Sequence, residues 1–311
     1  VYKRQVSVNC SAPELPEWRY NHGSFITWWG SLAVCGGWWA GKPLPYLDCL
    51  VLNTTSKEWE RGLLGNVLGN TVLGVITLDV GTYMVHQLTS SFLPSGEREW
   101  IAGPNAKEEV QCATGISTSS FLTFSGKSVR QFDSSIAGPI SDKGWKADGE
   151  WPNLQVERYR PACETLGALT LVAGGSNNQW ELLKSVEIIF LNSKTLGKAK
   201  DMLKPREHFN LIALGSTLLA LGGFKETSIE IWEGVGEPWK EASMSLETSR
   251  SHFSALTSTN LVCSDGPLPP HSCPTVDGGT CVFPFTNGKL NSKLAKYNLS
   301  FRIGNVFFLC Q

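Results

Sequence analysis

The chain has little charge of either sign and no excess of one over the other. Only 18% of its 311 residues are Asp, Glu, Lys or Arg, and 27 basic against 28 acidic side chains leave a formal net charge of -1. Near-neutrality excludes a protein drawn to nucleic acid or to an anionic membrane surface by its overall field, so charge-driven binding would need a local patch. No run of about 18 apolar residues occurs, so no membrane span is expected. Catalytic signatures are missing too: there is no Gly-x-Ser-x-Gly, phosphate-binding loop, Cys-x-x-Cys or His-Glu-x-x-His. Only five His and six Tyr occur, with no His pair at ligand spacing, so neither a metal nor a cofactor is expected.

What is present points to a packed, turn-rich protein. With 41% hydrophobic residues the chain can bury one large core or two modest ones, which excludes intrinsic disorder. The 31 Gly, 16 Pro and 12 Trp suit short strands joined by tight turns, an all-β composition. Nine Cys and three acceptor sequons at Asn9, Asn53 and Asn298 lean toward an oxidising, secretory compartment, hence a secreted, extracellular glycoprotein. Val1 to Arg4 do not read as a signal peptide, so the expectation is a processed or incompletely resolved chain.

Trp18, Trp59, Trp100, Trp145 and Trp239, with Leu196 between the last two, recur at roughly 45-residue intervals, the period of a supersecondary repeat. The clearest unit runs Ser31–Cys35 as a strand, Gly36-Gly37, Leu47–Leu52 as a strand, a polar turn at 53–58, then Trp59. It returns around Gly174-Gly175 and around Gly222-Gly223. Two middle units, Thr71 to Asp79 with Trp100 and Phe121 to Gly126 with Trp145, keep the strands and lose the double glycine. On these residues the sequence resembles the kelch-repeat family. The resemblance implies a β-propeller over residues 1–266, with four antiparallel strands per blade, Gly-Gly after the second strand and Trp near the fourth.

Trp18 lacks an upstream Gly-Gly, whereas residues 250–266 supply strands without a downstream Trp. The two ends are therefore expected to complete each other: five whole blades plus a sixth, built from Gln5–Val8, the Trp18 region and residues 250–266. Closing the ring in this way would remove an exposed sheet edge. A seven-bladed ring that includes residues 268–311 is the rival. The Pro-rich stretch from Pro267 reads as a linker opening a second region, 267–311. Within it, Thr275 to Gly288, carrying Cys281-Val-Phe-Pro-Phe285, resembles the opening of a fibronectin type II module. That resemblance implies a Cys281–Cys310 bridge; the second Cys of the module is absent, which removes the support for its collagen or glycan binding.

The start of each blade's first strand rings one mouth of the channel. Arg206-Glu207-His208-Phe209 and Arg250-Ser251-His252-Phe253 match each other, Arg160 is placed in the same row, and His22 precedes the first Gly-Gly at a similar distance. Such guanidinium groups either bind carboxylates or sulfates, or hydrogen-bond neighbouring blade loops. Neighbours on a strand face opposite sides, so one residue of each pair Trp28-Trp29 and Trp38-Trp39 is left over. Trp38 and Trp39, following Gly36-Gly37, either stack on a sugar or protein partner or pack between blades. Cys35 and Cys49 fall on adjacent strands of one blade, and Cys112 and Cys163 on first strands of neighbouring blades, so each pair is expected within bridging distance. Cys10 is paired with Cys263 or Cys273, and the odd count leaves one thiol for self-association. The functional expectation is a non-catalytic module recognising an extracellular protein or glycan, with an acidic ligand as one option. The alternatives are a structural subunit of an extracellular assembly, or a carbohydrate-active enzyme or oxidase on a propeller scaffold.

Overall fold

The computed structural model describes residue 13, residues 15–39, 43–53, 55–69, 71–246 and 249–258, and short strands at 261–262, 275–276, 280–281 and 306–310. It is an all-β propeller. The first blade pairs β1 (Gly23–Ile26), β2 (Leu32–Cys35), β3 (Cys49–Leu52) and β4 (Trp59–Glu60) in chain order. The second pairs β5 (Gly74–Leu78), β6 (Gly81–Val85), β7 (Ser90–Pro94) and β8 (Ile101–Ala102). The third has three strands, β9 (Cys112–Gly115), β10 (Ser120–Ser125) and β11 (Ser128–Asp133). A short helix, α1 (Ser134–Ala137), follows, and Trp145 forms a single bridge to Phe132 where a fourth strand would run. Blade four is β12 (Ala162–Leu166), β13 (Leu169–Ala173), β14 (Val186–Phe190) and β15 (Thr195–Lys198). Blade five is β16 (Asn210–Leu214), β17 (Thr217–Leu221), β18 (Ser228–Trp232) and β19 (Lys240–Ser245).

Second strands are covered on both faces by neighbouring blades, which is why Leu32–Cys35 and Thr217–Leu221 read as unbroken buried runs instead of alternating. The cores lie between blades. Leu171, Ile188, Leu218, Trp232 and Trp239 pack between blades four and five, and Tyr83, Phe92, Phe121, Phe132 and Trp145 between blades two and three. The repeated Trp also ties blades three and five to their predecessors by its indole N–H: Trp145 donates to the Asn105 carbonyl (2.8 Å) and Trp239 to that of Lys200 (3.1 Å). Among the described residues two disulfides are formed, Cys35–Cys49 across β2 and β3 and Cys112–Cys163 between the first strands of blades three and four.

The blade count differs from the sequence expectation. The described residues form five blades, not six. A further strand, β20 (Ser254–Ser258), packs between β16 and β1, where the Ser24 backbone N–H donates to Ser254 Oγ (3.1 Å) and the two serine hydroxyls meet at 2.6 Å. Among the described residues no N-terminal strand pairs with it. Its paired strand is β24 (Val306–Cys310), running parallel, while β21 (Leu261–Val262), β22 (Thr275–Val276) and β23 (Thr280–Cys281) form a separate small sheet. Trp18, expected to fill the sixth blade's tryptophan slot, is 75% exposed. The cause lies at the next residue: the Arg19 guanidinium is drawn inward to the Gly36 and Asp48 carbonyls, which fastens this segment to blade one. Gln5–Val8, Asn9, Asn298 and the proposed partners Cys10, Cys263 and Cys273 lie outside the described residues, as do the side chains of Cys281 and Cys310.

Candidate functional site at the channel mouth

Three buried arginines set the geometry of one face. Arg206 donates to the Gly222 and Ser228 carbonyls (2.5 and 2.9 Å), to Ser228 Oγ and to Glu230, with both charged side chains essentially inaccessible. Arg158 repeats this with the Gly174 and Ser185 carbonyls (2.9 Å each), Ser185 Oγ and Glu187. Arg19 does so with Gly36 and Asp48. The double glycine is what allows it. Gly174 and Gly175 have φ of +60° and +84°, and a Cβ on them would stand 2.5 Å from the Arg206 and Tyr159 carbonyl oxygens. The second glycine's N–H also links blades, Gly175 to the Arg206 carbonyl (2.7 Å) and Gly223 to that of Arg250 (2.8 Å).

Two residues after each arginine the chain turns left-handed, at Asn21, Arg160, His208 and His252 (φ 52° to 58°). A hydrogen-bonded girdle joins these turns: Asn21 N–H donates to the His252 carbonyl (2.8 Å), His252 to His208 (3.2 Å) and His208 to Arg160 (3.4 Å), and Arg160 N–H donates to Gln111 Oε1 (3.1 Å). The girdle frames the opening of a central cavity of about 890 Å³. The His208 and His252 rings stack at 3.4 Å between centroids, next to Arg160, Tyr159 and Trp180. Burial, the neighbouring imidazole and Arg160 push the His208 pKa down to about 3, and burial followed by Arg160 lowers that of His252. Both are neutral at physiological pH. Deeper in the channel, Glu164 accepts from the Thr165 N–H (2.9 Å), and burial pushes its carboxyl up to about 7.

Aromatic side chains project from the Gly-Gly loops on the same face. Trp38 and Trp39 are 40% and 41% exposed, Phe224 52% and Trp180 68%. Trp38 packs on Tyr20 (5.7 Å), which meets His252 edge-on (6.3 Å). Trp180 lies over Tyr159 (6.1 Å) with the Arg160 guanidinium 5.6 Å from its centre. Its backbone is itself left-handed (φ 62°), which is costly for a bulky side chain, and the Asn177 side chain holds the turn by accepting from the Gln179 and Glu181 N–H groups (2.9 Å each).

Of the residues expected at the mouth, Arg160, His208 and His252 come together there, Trp38 reaches them through Tyr20, and Trp39 follows Trp38 on the same loop. Arg206 does not: it is 1% exposed and bonds its own blade. Arg250 is half-buried at the corresponding place, its carbonyl receiving the Gly223 N–H. The alignment of Arg160 with Arg206 is thus out of register by two residues, since Arg158 occupies the Arg206 position and Arg160 that of His208. Sequence reasoning missed Trp180, Tyr159 and Tyr20. Spacing could have found the two tyrosines, each directly after its arginine, because Arg158 and Arg206 each lie 16 residues before their glycine, and Arg19 lies 17 before its own. Asn53 lies on the turn after β3, where its Oδ1 accepts from the Thr55 and Ser56 N–H groups (2.9 and 3.1 Å). No cluster of His, Cys, Asp and Glu suited to a metal ion, and no helix long and apolar enough to cross a membrane, occurs among the described residues. Compared with protein-family models and with curated proteins, the chain matches none.

Proposed function

We propose that the chain is a non-catalytic, kelch-like recognition module of the extracellular space, and that it binds its partner at the mouth framed by the Gly-Gly loops. The observation that carries this reading is the set of solvent-facing aromatic rings on three of these loops, at the end of the blades where the cavity opens, with Trp180 lining that cavity. A folded protein gains no stability from leaving indoles in water, and rigid aromatic groups around a concave, polar-lined opening are the usual furniture of a binding site. Two disulfides and the sequons support a secretory origin.

The test is a binding screen of the purified chain against immobilised extracellular-matrix proteins and oligosaccharides. Binding is expected, lost in the double variant Trp38→Ala, Trp180→Ala and retained in Trp28→Ala. Trp28 is as exposed (58%) but sits on the β1–β2 turn, at the opposite ends of the strands. Binding that survives the double variant, or none across the panel, overturns the reading. Expression through a eukaryotic secretory route should give a product whose mass falls on enzymatic removal of N-glycans.

A further inference from the structure

We infer that the ligand class of this mouth is neutral carbohydrate, with Trp180 as the principal stacking platform. The inference rests on the recognition reading above and narrows it.

The first argument is charge. A site built for an acidic ligand needs unspent positive charge, and Arg160 is the only Lys or Arg among the described residues that line the cavity. Arg160 is the cation that reaches the opening, with its side chain 46% exposed, and the Glu207 carboxylate faces it at 3.8 Å. A second carboxylate, Glu109, lines the same cavity. The two imidazoles are neutral and add no charge. An incoming carboxylate or sulfate would therefore meet Glu109 and Glu207 together with a single, already engaged guanidinium.

The second argument is the chemistry that remains. Asn21, Gln87, Gln111 and Asn210 line the cavity alongside the neutral His pair, which makes a wall of uncharged groups able both to donate and to accept. A hydroxyl-rich ring needs such a wall, because each sugar hydroxyl is at once donor and acceptor. The aromatic component fits as well. The face of a pyranose presents C–H groups of partial positive charge, and the face of an indole is the negative end of its quadrupole. Trp180 is carried by the Asn177-capped turn, with Tyr159 and Arg160 near its ring and most of its surface open. A left-handed backbone kept for a solvent-exposed tryptophan has no packing explanation, since Trp180 belongs to no core cluster among the described residues.

The test is titration of the full chain, followed by tryptophan fluorescence, with cello-, manno- and chito-oligosaccharides, and with heparin-derived and polygalacturonate fragments as acidic counterparts. At least one neutral series should bind, with affinity nearly unchanged between low and high salt, because screening acts only on charge. Trp180→Ala should weaken it by about tenfold or more and Trp180→Phe by less, while Arg160→Gln should change it by only about threefold. Trp180 is exposed, so both variants should fold, which circular dichroism checks. Binding of the acidic fragments alone with steep salt dependence overturns the inference, as does neutral binding indifferent to Trp180→Ala. If a protein partner binds in a Trp38- and Trp180-dependent way while every neutral oligosaccharide fails, the carbohydrate inference falls and the recognition reading stands.

Discussion

Arg158 and Arg206 are buried cations whose counter-charges, Glu187 and Glu230, are buried with them. Truncating one partner strands the other, so Arg206→Ala should destabilise the fold by about 3–5 kcal/mol in denaturant unfolding. Arg160→Ala, at the half-exposed mouth, should cost no more than about 1 kcal/mol. That contrast separates two arginines that look equivalent in the sequence. The histidines give a pH dependence with a definite sign. Burial holds His22 down to about 4 and His208 to about 3, both below the ordinary value of 6.5. Between those values and pH 6.5 the unfolded chain carries protons that the folded chain refuses, so stability falls as pH drops through that window. Glu164 acts the other way. Raised to about 7, it binds a proton in the folded state that the unfolded chain releases above about pH 4.5, so its contribution falls as pH rises through that range. Glu164→Gln should therefore steepen the loss of stability on acidification from pH 7 to 4.5, measured by thermal unfolding at each pH.

At the scale of strands and loops, the two disulfides differ in what they constrain. Cys35–Cys49 closes 14 residues within one sheet, whereas Cys112–Cys163 closes 51 and joins two blades. On chain entropy alone their removal should cost about 3 and about 4 kcal/mol respectively, so Cys112→Ser with Cys163→Ser should unfold at the lower denaturant concentration. Both pairs were legible in the sequence, because the Gly-Gly and Trp landmarks assign each cysteine to a numbered strand of its blade. The same landmarks located Trp38 and the histidines of the mouth. Arg160 was misread because Arg158-Tyr159-Arg160 offers two arginines where its relatives have one, and only the spacing to Gly174 decides between them. Trp180 was hidden for another reason. It lies five residues past Gly175 on a loop longer than that of blade five, so no fixed offset from the glycine pair points to it. The third blade's missing fourth strand was equally invisible, since Trp145 keeps its place in the period although its neighbours form no ladder.

For the molecule as a whole, the informative failure was the blade count. Trp18 and residues 250–266 looked like two halves of one blade because each lacks what the other carries, but Trp18 is exposed and the strand partner of residues 254–258, Val306–Cys310, lies in a stretch whose composition reads as a separate region. Strand β20 nevertheless covers the inner edges of β16 and β1. A chain ending at Leu246 should expose both edges and form soluble oligomers or aggregates in size-exclusion chromatography with light scattering, where the full chain runs as a smaller species.

The girdle of left-handed turns around the mouth has a consequence for the tempo of binding. Asn21, His252, His208 and Arg160 grip one another through the main chain, so the rim cannot contract around a guest as a hinged lid would. A rigid aperture admits and releases small molecules quickly, and single encounters will be short. Lasting attachment then requires many copies of the chain, or a ligand with many repeats, each brief contact holding the others in register.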